Sequence, residues 1–164
     1  MWLTNQQEEV IMNSERFVPF ILYTERIAKN IKRLADKEME PYGLRSAHIM
    51  CILQLAKNEG GLSSVELSNA CGVDKAFISR ITQELSDKGY IDRKIGPKQG
   101  KYKTKFLLTE KGEEINKIIN ELICEFMEKT SKNTPTKKLE IFYDVLNSID
   151  IVLDKITNKE IDEK

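Results

Sequence analysis

The chain has 164 residues, enough for one domain of ordinary size or for a small domain with helical arms. Its 26 Lys and Arg balance its 26 Asp and Glu, so the total charge gives no argument for a polyanionic partner. No apolar run approaches the roughly 18–20 residues that span a bilayer, the start lacks the pattern of a signal peptide, and three cysteines without framework spacing indicate a reducing cytoplasm.

The first 43 residues predict an N-terminal helical arm. A short helix is expected over residues 5–12, and a helical apolar period continues from 14 to 39. Pro19 lies inside this second run, so the long helix is expected to start or bend there. Pro41 ends it.

Two capped helices are predicted next, separated by a glycine turn. Ser63 and Glu66 form a capping box at the start of the first helix. Gly72 provides the turn, and Asp74 caps a second helix that continues to Gly89. This spacing is typical of a helix-turn-helix.

The second of these helices is amphipathic and is predicted to read DNA bases. Ile78, Ile81 and Leu85 form its buried stripe, and Arg80 and Gln83 on the other side can contact guanine and adenine. Small residues let the helix approach the groove floor, and Lys75 suits phosphate. The alternative is that this side is only the hydrated face of an amphipathic helix. The predicted recognition residues are Lys75, Ala76, Ser79, Arg80 and Gln83.

The segment after this helix predicts a basic β-hairpin, the wing. Residues 74–105 hold nine basic and four acidic side chains, a net charge of +5, and residues 93–105 hold six basic and no acidic ones. Apolar and lysine side chains alternate along 101–108, so one face can pack and the other can meet phosphate. A solvated charged surface is the alternative. The predicted wing contacts are Arg93, Lys94, Lys98, Lys101, Lys103 and Lys105.

The last part, residues 113–164, predicts two helices with apolar stripes, the first capped by Thr109. A winged domain over 44–112 can cover only part of this apolar area and that of the arm over 1–43. A two-fold homodimer would bury the rest and set two recognition helices about 34 Å apart. A monomer with a larger helical cap is the alternative.

Residues 44–125 resemble the multiple-antibiotic-resistance regulator (MarR) family. The Leu-Thr-x-x-Gly at the end is the most specific element of the resemblance. The matching segments are Leu62-Ser63-x-x-Glu66-Leu67, Val73-Asp74-Lys75, Ile78-Ser79-Arg80, Leu85-x-x-Lys88-Gly89-Tyr90-Ile91-x-Arg93 and Leu108-Thr109-Glu110-Lys111-Gly112.

The resemblance implies a mainly α fold, a winged helix-turn-helix with N- and C-terminal dimerisation helices. It implies a homodimer in which Ser79, Arg80 and the wing contact double-stranded DNA. It also implies that a small-molecule or redox signal acts between the dimerisation helices and the winged domain.

One departure concerns the wing tip, where an Asp-x-Arg of the family is replaced by Gly100-Lys101-Tyr102-Lys103. Since lysine lacks the planar fork of arginine, phosphate contact is favoured there over insertion into the minor groove.

An effector pocket is expected where the first long helix meets the next one. It would be lined by Phe17, Phe20, Tyr23, His48 and Cys51. Core packing is the favoured alternative for each of these residues, and His48 could equally be a hydrogen-bonding spacer. Cys51 and Cys124 are expected in the core, and Cys71 closer to the surface. One histidine and no C-x-x-C predict no metal site, and no cofactor is expected.

Enzyme classes are disfavoured because the sequence has neither a Gly-rich phosphate loop nor a nucleophile elbow. The sequence therefore predicts a cytoplasmic, homodimeric transcriptional regulator, a ligand-responsive repressor of a pseudo-palindromic operator. The alternative is a winged-helix interaction module that docks an acidic protein partner.

Overall fold

The computed structural model describes residues 5–96 and 103–162, which form six helices and two strands. The predicted class, mainly α with a winged helix, is confirmed. The elements are α1 Asn5–Met39, α2 Ser46–Ala56, α3 Ser64–Cys71, α4 Lys75–Asp87, β1 Ile91–Gly96, β2 Lys103–Leu108, α5 Glu110–Ser131 and α6 Thr136–Asp162.

One hydrophobic core joins α2, α3, α4 and the hairpin. Ile52, Leu67, Ile78 and Leu85 are fully buried in it. Complete burial of an aliphatic side chain of this size contributes roughly 1.5–3 kcal/mol, so these four positions contribute much of the stability of the winged helix.

The two strands form an antiparallel sheet that begins with Ile91 opposite Leu108. Leu62, in the loop before α3, adds a short third edge because its N–H and C=O pair with Phe106 at 3.1 and 2.8 Å. Phe106 is 5 % exposed and packs under the sheet. The base of the wing is therefore fixed to the helices on two sides.

Helix α1 is continuous over 35 residues and passes through Pro19. The prediction of a separate short helix over 5–12 is therefore wrong. Proline already has a helical φ, so a long helix can continue through it at the loss of one backbone hydrogen bond. Gly43, with φ of 65°, ends the 3-10 turn that follows α1.

The chain separates into two compact units, one up to Lys117 and one from Ile118. The predicted division into 1–43, 44–112 and 113–164 stays a prediction. After Ile119, the described residues of α5 and α6 are exposed or half-buried, so the expectation of a core position for Cys124 is wrong for the single chain. In the described ranges, no helix has the length and apolarity that a membrane crossing requires.

Both α1 and α6 carry many exposed apolar side chains. On α1, Phe17, Val18 and Leu22 are 58–60 % exposed, and on α6, Phe142, Val152 and Leu153 are 51–53 % exposed. Apolar surface this extensive on one chain is typical of an interaction site.

Candidate nucleic-acid interface

The turn between α3 and α4 is held by local hydrogen bonds. Gly72 has φ of 64°, a left-handed conformation that glycine adopts without strain, and it ends α3. The hydroxyl of Ser68 donates to the carbonyl of Val73. Asp74 then accepts from the N–H of Phe77 at 2.8 Å and caps α4, as predicted. The capping box of Ser63 and Glu66 is also confirmed.

Helix α4 has one buried and one exposed side. The predicted stripe is confirmed, since Ile78, Ile81 and Leu85 are at most 3 % exposed. Thr82 is buried beside them, and its hydroxyl donates to the carbonyl of Ile78 at 2.9 Å, which satisfies it. All five predicted recognition residues are exposed: Lys75, Ala76, Ser79, Arg80 and Gln83.

Arg80 and Gln83 differ in how far their polar groups are engaged. The exposed guanidinium of Arg80 lies 5.2 Å from the ring centroid of Phe77, a cation–π contact. The amide of Gln83 is engaged at both ends. Its oxygen accepts from Arg93 at 2.6 Å, and its nitrogen donates to Asp87 at 2.6 Å. Sequence reasoning missed this contact between α4 and β1.

The wing residues fall into three groups. Arg93 and Lys94 are exposed on β1. Lys98 and Lys101 lie outside the described residues, and the side chain of Lys103 is likewise not described. Lys105 is half-buried.

The ammonium of Lys105 donates to the carbonyls of Gly60 and Gly61 at 3.2 and 3.0 Å. Its strand partner is Lys94, so two like charges are directly opposite, an arrangement that is destabilising unless one is compensated. The two carbonyl oxygens compensate Lys105. Its ammonium is thus engaged within the protein, and the predicted contact with phosphate stays a prediction.

The five residues of the expected effector pocket lie in two different environments. Phe17 and Tyr23 are 58 % and 57 % exposed on α1, and Phe20 is half-buried. His48 and Cys51 are almost fully buried on α2. The pocket itself stays a prediction.

His48 connects α2 to α4. Its Nδ1 accepts from the backbone N–H of Arg45 at 2.9 Å, so Nε2 carries the proton and donates to Glu84 at 2.9 Å. This contact crosses from the start of α2 to the helix that carries the predicted recognition face. Sequence reasoning placed His48 only as a pocket or spacer residue.

Burial raises the pKa of two of the three thiols and so keeps them protonated. It raises the pKa of Cys51 to about 12 and raises the pKa of Cys71, its neighbour, as well. Both are therefore protonated near neutral pH, and the protonated thiol is the unreactive form. Among the described residues, no group of three or more His, Cys, Asp and Glu is arranged to hold a metal ion.

The start of α5 holds the end of α4. The hydroxyl of Thr109 donates to the carbonyl of Gly89 at 2.7 Å and accepts from the N–H of Gly112 at 3.1 Å. Lys111 donates to the carbonyl of Lys88 at 2.7 Å. A Cβ on Gly112 would lie 2.1 Å from the carbonyl oxygen of Tyr90. These contacts are the physical reason for the Leu-Thr-x-x-Gly pattern.

Comparison with known proteins agrees with this geometry. Residues 42–101 match the model of the MarR family. This segment of the chain is thus similar to the winged helix of that family. The match begins at the end of the 3-10 turn after α1, covers α2 to α4 and β1, and extends to residue 101.

Solved structures share most of the fold of this chain. A MarR family transcription regulator superposes with a TM-score of 0.77 at 18 % identity, over 92 % of this chain and 98 % of that one. MepR of S. aureus, in complex with DNA, gives 0.73 at 16 % identity, over 80 % and 94 %. CouR of Rhodococcus jostii, bound to p-coumaroyl-CoA, gives 0.70 at 19 %, over 80 % and 90 %.

Proposed function

We propose that this MarR-type chain is a transcriptional regulator that binds double-stranded DNA sequence-specifically through α4 and the wing. The observation that carries the proposal is the exposed face of α4, which contacts the basic strand β1 through Gln83 and Arg93. This face carries Lys75, Ala76, Ser79, Arg80 and Gln83. A helix of 13 residues is about 20 Å long and fits the major groove.

The positive charges on α4 and β1 also support DNA as the partner. Arg80 can contact a guanine edge with its planar fork, whereas Lys75 at the N-terminal end of α4 adds its charge to that of the helix dipole. Lys94, exposed on β1, adds a positive charge that can contact the DNA backbone. The DNA complex of MepR, which has the same fold, is consistent with this use of the winged helix.

The regulator is proposed to act as a homodimer on a pseudo-palindromic operator. The exposed apolar side chains of α1 and of α6 supply surface that a second copy would cover. Two-fold symmetry would then present two copies of α4 to half-sites about one DNA turn apart.

We further propose that the regulator is a repressor whose DNA affinity falls when a small molecule binds. CouR, which shares the fold, is bound to p-coumaroyl-CoA. A ligand that binds better to a conformation with another spacing between the two copies of α4 would lower affinity by population shift.

The test is selection of bound sequences from a pool of random duplexes at low salt, followed by affinity measurements on the enriched sequence. We expect an inverted repeat, and tighter binding to it than to random duplex by at least about a thousandfold. Enrichment of no sequence would contradict the proposal. Weak binding to all duplexes, together with tight binding to an acidic protein, would instead support the interaction module.

A further inference from the structure

The amide of Gln83 was expected to read adenine, but in the free protein both of its ends already have partners. Asp87 can only accept a hydrogen bond and the guanidinium of Arg93 can only donate one, so the orientation of the amide is fixed by chemistry. Bidentate reading of adenine uses the same oxygen and the same nitrogen. Base contact by Gln83 would therefore compete with two charged partners.

The contact between Gln83 and Arg93, the Gln83–Arg93 link, joins two elements that meet DNA in the proposed complex. Gln83 lies on the exposed side of α4, and Arg93 lies on β1 at the base of the wing. The guanidinium of Arg93 also lies 5.7 Å from the ring centroid of Phe106. Because Phe106 is buried and paired to Leu62, Arg93 is held against a fixed part of the sheet.

We propose that the Gln83–Arg93 link determines DNA sequence preference by fixing the position of α4 relative to the wing, and that Gln83 reads no base. The proposal rests on the DNA-binding function proposed above. In this arrangement Gln83 and Arg93 are positioning residues. They decide which base pairs the neighbouring Ser79 and Arg80 reach, and Arg93 is not a simple phosphate contact.

The test compares Gln83→Ala, Arg93→Ala, the double variant and the wild type, by sequence selection and by affinity for the enriched and a random duplex. Both single variants are expected to change base preference at the same positions. Each should reduce the ratio of the two affinities by roughly fivefold, as expected for loss of one typical hydrogen bond at an exposed position. The double variant should lose no more than either single variant.

Two further variants separate positioning from charge. Arg93→Lys keeps the charge but removes the guanidinium that reaches Gln83, so it should change base preference as Arg93→Ala does. Lys94→Ala removes an exposed charge next to the link. It should weaken binding to both duplexes alike and leave their ratio unchanged.

Several results would overturn the proposal. Additive losses in the double variant would show that the two side chains contact DNA independently. A loss confined to one base pair in Gln83→Ala, with no change of preference in Arg93→Ala, would show that Gln83 reads that base. An Arg93→Lys variant that behaves as the wild type would show that Arg93 contributes only its positive charge, and not its contact with Gln83.

A measurement without DNA separates this proposal from the proposed function. Urea unfolding of the same four proteins gives the coupling between Gln83 and Arg93 in the free chain, and additive changes there would also overturn the link. A wild type that enriches no sequence would instead contradict the proposed function, and the proposed role of the link with it.

Discussion

At the scale of single residues, exposure separates two kinds of polar group on α4. Thr82 is buried and bonded to the backbone of its own helix, so its hydroxyl serves the fold. Arg80 is exposed, and its only described contact is the ring of Phe77. Arg80 is therefore free to bond a base edge without loss of a core contact.

Replacing Arg80 with Ala should cost about 1–3 kcal/mol in binding to the enriched duplex and relax the preference for its sequence. The reason is that a bidentate contact to guanine is lost while the fold is retained. Fluorescence anisotropy on the enriched and a random duplex measures both effects, with Lys94→Ala as the control for loss of charge alone. Equal losses on the two duplexes would contradict a base-reading role.

Gly112 is predicted to tolerate no side chain, because a Cβ would lie 2.1 Å from the carbonyl oxygen of Tyr90. Gly112→Ala should lower the free energy of unfolding by more than about 2 kcal/mol, since the backbone contact cannot relax easily. Gly60→Ala is the matched control, because no atom lies within 4 Å of the added Cβ. Urea denaturation of both variants checks this, and equal stability would refute the close approach.

Asp36 gives the fold a pH dependence. The N–H of Ser46 donates to its carboxylate at 2.7 Å and holds the pKa of this group below its ordinary value. A lowered folded-state pKa contributes stability above the unfolded-state pKa, and this contribution is lost as the pH falls through the folded-state value. The difference in unfolding free energy between wild type and Asp36→Asn should therefore shrink as the pH falls from about 7 through the acidic range in which the Asp36 carboxylate of the folded protein is protonated. A constant difference would argue against the charge effect.

At the scale of elements, α4 and its neighbours are joined at both ends and along one side. Asp74 caps the first turn, Thr109 and Lys111 bind the carbonyls that follow the last turn, and His48 reaches Glu84 in the middle. A helix held at three places keeps its orientation. That matters for groove reading, because a small rotation of α4 would displace every side chain on its exposed face.

Asp74→Ala should destabilise the protein by about 1 kcal/mol, because the N–H of Phe77 loses its side-chain acceptor at the start of α4. Asp74→Asn keeps an acceptor at this position and should stay within a few tenths of a kcal/mol of the wild type. Thermal or urea unfolding compares the three proteins. Equal losses in both variants would point to the charge of Asp74, and not to the cap.

At the scale of the whole molecule, the winged helix buries its apolar residues while α1 and α6 leave theirs exposed. Exposure of apolar side chains to water is unfavourable, so burial of these two helices against a partner would be stabilising. A second copy of the chain is the partner in the proposed function.

Sedimentation should give a particle of twice the 18.9 kDa of one chain. Val152→Asp, on the exposed apolar side of α6, should shift the equilibrium to the single chain and weaken DNA binding, because two half-site contacts no longer act together. Lys155→Asp introduces the same acid nearby at an exposed polar position and should leave the assembly unchanged. A wild type that sediments as one chain would refute the homodimer.

The helix-turn-helix was predictable from the sequence because its signals are local. Capping by Ser63 and Asp74 needs a donor only three residues away, and the buried stripe of α4 follows from the helical period alone. The same locality explains the error in α1. Pro19 is a strong local signal for a break in the helix. Its φ is nevertheless compatible with a helix, and α1 continues on both sides of it.

The sequence by itself thus determined the helices of the helix-turn-helix and which side of α4 is exposed. Only the tertiary structure decided what the polar groups on those elements contact. Gln83 meets Arg93, His48 meets Glu84 and Lys105 meets the carbonyls of Gly60 and Gly61. The partners in these pairs are 10 to 45 residues apart. Over such separations the meeting depends on how helices and strands pack, which no local pattern of residue types encodes.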